Sequence, residues 1–400
     1  LADIIRMMRP GTLTLSALPP LSLYVHLPWC IRKCPYCDFN SHEYRDGREL
    51  DVDTARAYLA ALRADLEAAL PLIWGRPVVS VFIGGGTPSL FAPEQIAELI
   101  SDLRARLPLE AGCEITMEAN PGTFEKDRFA GFAQAGVTRL SIGVQSFDDR
   151  KLQALGRVHS GTQARAAIAE AARSFATFNI DLMYALPEQT LAELDEDLGT
   201  ALAFDPPHLS VYHLTIEPNT RFANAPPEHL PDPDLASDML DLITARTGAK
   251  GMQRYEVSAY ARAGHRCTHN TNYWQFGDYL GIGAGAHTKL SFAHRLLRQV
   301  RWRDPATFMQ KAAEGQAVSN EHEVARSELP FEFMLNALRL REGVPMQSFL
   351  ERTGLPPSAI AKAMEQGRAK GLLDPDPAVI RATPRGFDFL SDLQALFLSS

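Results

Sequence analysis

Three cysteines, Cys30, Cys34 and Cys37, fall within eight residues of one loop-like stretch, His26-Leu27-Pro28-Trp29-Cys30-Ile31-Arg32-Lys33-Cys34-Pro35-Tyr36-Cys37-Asp38-Phe39. A structural zinc site usually takes four ligands, commonly as two spaced pairs, and no second Cys/His pair at such spacing exists here. Three thiolates in a short loop can instead hold three irons of a [4Fe–4S] cluster. The fourth iron is then free to bind another molecule, so the missing fourth ligand is itself informative. The other two cysteines, Cys113 and Cys267, have no such company and read as small hydrophobes. An odd, sparse count of five does not read as a disulfide framework.

Such a loop needs elements that position it. From residue 21 onward apolar strand-like runs alternate with amphipathic helical runs: the strands are expected at Leu21–Leu27, Val78–Ile83, Glu114–Glu118, Arg139–Val144, Asn179–Tyr184 and His208–Thr215. One intervening segment carries Ile96, Leu99, Ile100, Leu103 and Leu107, and another Tyr58, Leu59, Leu62, Leu66 and Leu70, each forming one helix face. Six βα units in succession imply an α/β fold with a parallel sheet and helices outside. The unusual residues follow directly on strands: the cysteine loop, Gly84-Gly85-Gly86-Thr87-Pro88, Glu118-Ala119-Asn120-Pro121, Gln145-Ser146 and Leu186-Pro187. Strand C-termini carry the active site in barrels of this kind, so the expectation is a partial (β/α)6 TIM-like barrel rather than an open doubly wound sheet.

The Pro- and Asp-rich stretch Pro226 to Pro233 marks a break, followed by a helix-like segment and a loop-rich region around Cys267–His287. From Glu328 short helices lead to Ala378-Val379-Ile380-Arg381-Ala382, a hairpin strand, which suggests a small, mainly helical, winged-helix-like C-terminal domain. The organisation read from these shifts is an N-terminal extension over 1–20, the barrel over 21–230, a barrel-flanking segment over 231–310 and the C-terminal domain over 311–400.

The Cys-x-x-x-Cys-x-x-Cys loop after a first strand resembles that of the radical S-adenosylmethionine (SAM) superfamily. The resemblance implies that the open iron is chelated by the amino and carboxylate groups of SAM, which an electron from the cluster cleaves to a 5′-deoxyadenosyl radical. Gly85, Gly86 and Thr87 resemble the family loop that contacts the SAM amino group. Glu118, Gln145, Arg157 and Asp181 match polar SAM-contacting positions in the anaerobic coproporphyrinogen oxidase branch, and Tyr24 and Tyr36 match contacts beside the cluster. That branch binds two SAM molecules. Taken singly, Glu118 and Asp181 also read as strand-end caps and Arg157 as a surface helix charge.

Within the branch, the chain most resembles the HemW haem chaperones. The true oxidases continue their loop as Cys-x-Cys, whereas here Asp38 and Phe39 follow Cys37. His269-Asn270-Thr271-Asn272-Tyr273-Trp274 matches the His-Asn-x-x-Tyr-Trp motif typical of HemW, and Leu329-Pro330-Phe331-Glu332-Phe333-Met334 resembles the opening of its C-terminal domain. The resemblance implies haem as a third cofactor, acceptor haemoproteins (membrane-bound respiratory cytochromes among them) as partners, and a low-potential electron donor. Haem needs an axial donor in an apolar pocket. His269, with Tyr273 and Trp274 beside it, is one candidate, against a reading in which His269 and Asn270 cap a turn and Trp274 packs in the core. His287, at a position that is apolar in the oxidases, is the second. An imidazole ligand must be neutral, so haem affinity is expected to fall below about pH 6.5. The competing function is radical decarboxylation of coproporphyrinogen III propionates.

Composition fits this class. A hydrophobic content of 46% is ample for a globular core. The formal net charge of −8 argues against nucleic acid as a partner, which would call for a basic surface. No apolar run approaches the roughly 20 residues of a membrane helix, and Arg6 and Arg9 are not followed by the apolar segment of a secretory signal. The expected location is cytoplasmic, with peripheral attachment where acceptors are membrane-bound.

Overall fold

A computed structural model describes residues 13–44, 50–122 and 128–398, so the first part of the N-terminal extension, including Arg6 and Arg9, lies outside the described residues. Six strands run parallel: β1 (Leu21–Leu27), β2 (Val78–Gly85), β3 (Leu109–Ala119), β4 (Arg139–Gln145), β5 (Thr177–Tyr184) and β6 (His208–His213). All six expected strands are present, though β3 begins five residues before the expected Glu114 and β6 ends at His213, short of the expected Thr215. Helix α1 (Val52–Ile73) packs its Tyr58, Leu59, Leu62 and Leu66 inward, and α2 (Pro93–Arg106) its Ile96, Leu99, Ile100 and Leu103.

The strands divide their side chains cleanly between two environments, as the two-residue repeat of a strand requires. In β1 Leu21, Leu23, Val25 and Leu27 enter the core under the helices, while Ser22 bonds to Ser80 and Tyr24 packs on Phe82. The same alternation sends Ile115 and Met117, Leu140 and Ile142, Ile180 and Leu182, and Leu209 and Val211 to that core. Their neighbours Thr116, Glu118, Arg139, Ser141, Asn179, Asp181, His208 and Ser210 line a cavity within the sheet's curve. The result is a partial barrel with an apolar jacket and a polar interior.

The segment read as loop-rich is different. It holds α3 (Thr268–Trp274) and the strand β7 (Asp278–Ile282), and three more strands follow it, β8 (His287–Phe292), β9 (Arg295–Arg301) and β10 (Val318–Glu323). Strand β7 pairs parallel with β1, opposite β2, and β8 to β10 follow antiparallel. With the short strands Gln253–Arg254 and Ala259–Ala261 beyond β6, the described residues form one 12-stranded sheet. Strand β7 escaped sequence reading because all five of its residues are buried, which erases alternation, and because it contains Asp278 and Gly281. Asp278 is tolerated there by Arg76, Lys289 and Ser291, which all bond to its carboxylate.

A second core gathers Phe333, Met334, Phe349, Met364, Leu373 and Ile380. It joins α4 (Leu329–Ala337), α5 (Met346–Thr353) and α6 (Ala361–Ala369) to an antiparallel bridge between Leu373 and Ala382 and to the paired segments Val344–Pro345 and Val379–Ile380. Three helices followed by a hairpin is the winged-helix-like order; two further short helices, Pro384–Asp388 and Leu390–Ala395, end the described chain. Phe276 enters this core and Trp274 packs on its edge, so α3 and the turn after it connect barrel and C-terminal helices. No helix among the described residues is long and apolar enough to cross a membrane.

Candidate functional site

The cysteine loop leaves β1 and is clamped at its base, where Trp29–Cys30 pairs with His42–Glu43 and the Tyr44 amide donates to the Cys30 carbonyl. All three thiols face one cavity of about 380 Å³ at the C-terminal ends of the parallel strands. Each sulfur has a polar neighbour: Thr87 Oγ1 donates to Cys30 Sγ at 3.4 Å, Arg157 Nη1 donates to Cys34 Sγ at 3.6 Å, and Ser41 Oγ lies 3.6 Å from Cys37 Sγ. Burial pushes the Cys30 thiol up to about 11, so a thiolate there needs a positive partner. Among the described residues no three donors are set for a single metal ion; a four-iron cluster takes its thiolates on separate irons. Arg157 is half-buried, and its buried Nε has no hydrogen-bond partner among the described residues. Three thiols beside a half-buried cation with an orphaned N–H fit a cluster of net negative charge.

The glycine turn after β2 lets backbone approach the loop. A Cβ on Gly85, whose φ is +116°, would lie 2.5 Å from His26, and one on Gly86 would lie 2.5 Å from the Trp29 carbonyl oxygen. Gly86, Thr87, Tyr36, Gln145, Arg157 and Asp181 line the thiol cavity, as do Gly85 and Glu118. Glu118 is enclosed and accepts a single hydrogen bond, from the Gly85 N–H at 3.0 Å. Desolvation, opposed by that bond and aided by nearby Asp181, raises its carboxyl to about 7. Such a group suits a ligand bearing an ammonium. Asp181 is also raised by burial, against bonds from Asn179 and Ser141. Arg157 is held by Asn120 Oδ1 at 2.6 Å and the Gly143 carbonyl at 2.7 Å. Asn120 in turn donates to Thr87 Oγ1 at 2.9 Å, which links Cys30 and Cys34 through one side-chain chain of bonds.

Tyr24 does not join this group. It lines a second cavity, of about 610 Å³, together with His269, Tyr273, Trp274 and His287. The two cavities adjoin, since Asp38, Phe39, Phe82, Gly85, Glu118 and Asn270 line both. His269 sits between Tyr24 and Phe82, with ring centroids 6.4 and 5.1 Å away. Its Nδ1 lies 3.4 Å from Ser80 Oγ, and Nε2 makes no hydrogen bond among the described residues. Burial lowers its pKa to about 3. This changes the expected pH response: an imidazole enclosed by aromatic rings stays neutral far below 6.5. Asn272 holds Ser22 and the Asp278 carbonyl, Tyr273 meets Tyr279, and Trp274 lies under Arg339 at 4.2 Å with its Nε1 unpartnered. The motif therefore both faces a cavity and supports the fold.

Residues that sequence reading passed over also belong here. His26 points inward beside Tyr24, bonded to the Tyr24 hydroxyl at 3.0 Å and to the Asn40 carbonyl at 2.9 Å. Asn40 donates to the carbonyls of Ala284 and Arg303, fixing the cysteine loop to the loop before His287. The two-residue alternation of β1 was a signal for His26. Asn40 had none, because the carbonyls its side-chain amide donates to lie more than 240 residues away.

Family models match the chain twice, the radical SAM superfamily over residues 24–201 and the HemN C-terminal domain over residues 324–389. The solved coproporphyrinogen III oxidase HemN from Escherichia coli shares the fold, with a TM-score of 0.79 at 23% identity over 99% of this chain and 98% of that one. Fold and cysteine loop together define a radical SAM protein, a class whose cofactors are a [4Fe–4S] cluster and SAM. Curated relatives named heme chaperone HemW are 47% identical in Escherichia coli and 45% identical in Haemophilus influenzae, each over 96% of this chain and 99% of theirs. A mouse protein named radical S-adenosyl methionine domain-containing protein 1, mitochondrial, is 36% identical over 94% of this chain and 87% of its own. The chain belongs to the HemW family.

Proposed function

We propose that this chain is a haem chaperone built on a radical SAM scaffold: it binds haem and passes it to acceptor haemoproteins. Cys30, Cys34 and Cys37 hold the cluster. Arg157, oriented by Asn120 and Gly143, supplies the charge beside Cys34. Glu118 receives the SAM ammonium where the Gly85 amide already meets it, with Tyr36, Gly86, Thr87, Gln145 and Asp181 around the rest of the molecule. The bound cluster and SAM supply one-electron chemistry; the protein's part is to hold, orient and enclose them.

The observation that carries the haem assignment is that His269, Tyr273, Trp274 and His287 line one cavity adjoining that of the thiols. His269 offers a neutral nitrogen, with Tyr24 and Phe82 as apolar walls; His287, exposed at the rim, is the other donor. The names of the relatives support delivery to haemoproteins. Phe39, 59% exposed and lining both cavities, stands where the oxidases carry another cysteine, which favours a chaperone over decarboxylation. The test is anaerobic reconstitution followed by haem titration and porphyrinogen decarboxylation on one sample. Saturable haem binding without protoporphyrinogen IX supports the reading, and the reverse pattern overturns it.

A further inference from the structure

Resting on the haem reading above, we propose that the rim of the second cavity is a carboxylate-binding subsite, in which Arg303 takes a propionate of the bound tetrapyrrole. Arg303 lines this cavity and is exposed. Its backbone is fixed, because Asn40 Nδ2 donates to its carbonyl oxygen at 2.8 Å. Its guanidinium, in contrast, makes no hydrogen bond or ion pair among the described residues. The adjoining carboxylate is already committed: Asp304 caps the helix Pro305–Ala313, accepting from the Thr307 amide at 2.8 Å and hydroxyl at 2.7 Å.

Arg303 and His287 both line this cavity, and the positive charge of Arg303 falls on the His287 imidazole, so cation and candidate donor lie on one side of the opening. The other nearby cation, Arg298, is engaged with Tyr279 and Glu332. The acidic groups of the cavity are Asp38, exposed, and Glu118, enclosed on the wall shared with the thiol cavity. The cavity thus has an aromatic interior at Tyr24, Phe82 and Trp274 and one unneutralised cation at its mouth. A flat apolar ring with carboxylates along one edge is matched to that polarity, ring inward and carboxylates outward. A guanidinium presents parallel N–H groups to a carboxylate, which gives orientation as well as affinity.

The test compares haem with haem dimethyl ester, both titrated in the same detergent into reconstituted wild-type, Arg303→Gln and Arg303→Lys proteins. Wild-type protein is expected to prefer the free acid by about five- to tenfold, the range of a charged hydrogen bond at a partly exposed site. Arg303→Gln should lose that preference by weakening haem alone, and Arg303→Lys should recover part of it. An undiminished preference in Arg303→Gln, with haem still bound, overturns the subsite while leaving the haem reading intact. Failure of wild-type protein to bind either compound overturns both.

Discussion

Arg157 reaches across the cavity to Cys34, its Nη1 3.6 Å from the sulfur, while its Nη2 donates to Asn120 at 2.6 Å. A fixed positive charge beside a thiolate favours the reduced, more negative state of the cluster it holds. Arg157→Gln should shift the cluster midpoint downward by roughly 60 mV, the one-electron equivalent of about 1.4 kcal/mol, with Arg157→Lys intermediate. Protein-film voltammetry or redox titration followed by electron paramagnetic resonance reads the shift. An unchanged potential would remove Arg157 from the cluster's surroundings.

Reconstituted protein should carry about four iron and four sulfide per chain. Cys30→Ala, Cys34→Ala and Cys37→Ala should each lose the cluster, whereas Cys113→Ala and Cys267→Ala should keep it. Cys267 is buried and Cys113 packs on the main core, so those two variants test packing only. Full loading in Cys34→Ala would sink the ligand assignment.

Glu118 makes stability depend on pH. Its carboxyl titrates near 7 in the folded chain against 4.5 for a free group, so between those values the folded state binds the extra proton. Stability therefore falls as pH rises through that window and levels off above it, by about 3 kcal/mol for the full difference. Glu118→Gln, which keeps an acceptor for the Gly85 amide, should remove this component. Denaturant unfolding of cluster-free wild type and variant from pH 5 to 8 measures it; a difference between them that does not vary with pH contradicts the enclosed carboxylate.

Haem ligation by His269 should be insensitive to mild acid. Because desolvation holds this imidazole neutral to about 3, affinity should persist down to about pH 5. His269→Ala should displace the Soret band and weaken binding, and the same substitution at His287 separates the two donors. A loss of affinity centred near 6.5 would exclude His269 as the ligand.

The site's legibility in the sequence followed its locality. The cysteine loop, the glycine turn and Glu118 stand directly after strands whose apolar halves announce them, and β1 to β6 were visible because Leu21, Leu23, Val25 and their counterparts repeat every second residue. Strand β7 was hidden by complete burial and by Asp278, whose tolerance depends on Arg76, 202 residues away, and on Lys289 of the neighbouring strand β8. The separation of Tyr24 from Tyr36 into different cavities was equally hidden, because it depends on where α3 places His269 against β2. The free guanidinium of Arg303 was unreadable for a related reason: only the fold shows that Asp304 is spent on a helix cap.

Haem transfer to an acceptor is the direct measure of the chaperone function. Reconstituted, haem-loaded protein is mixed anaerobically with an apo-haemoprotein, and the acceptor's Soret absorbance is followed while coproporphyrinogen III in the same vessel is assayed for conversion. Haem is expected to leave this chain for the acceptor, His269→Ala or His287→Ala to carry less of it, and the porphyrinogen to stay intact. Formation of protoporphyrinogen IX, with no haem reaching the acceptor, would contradict that function.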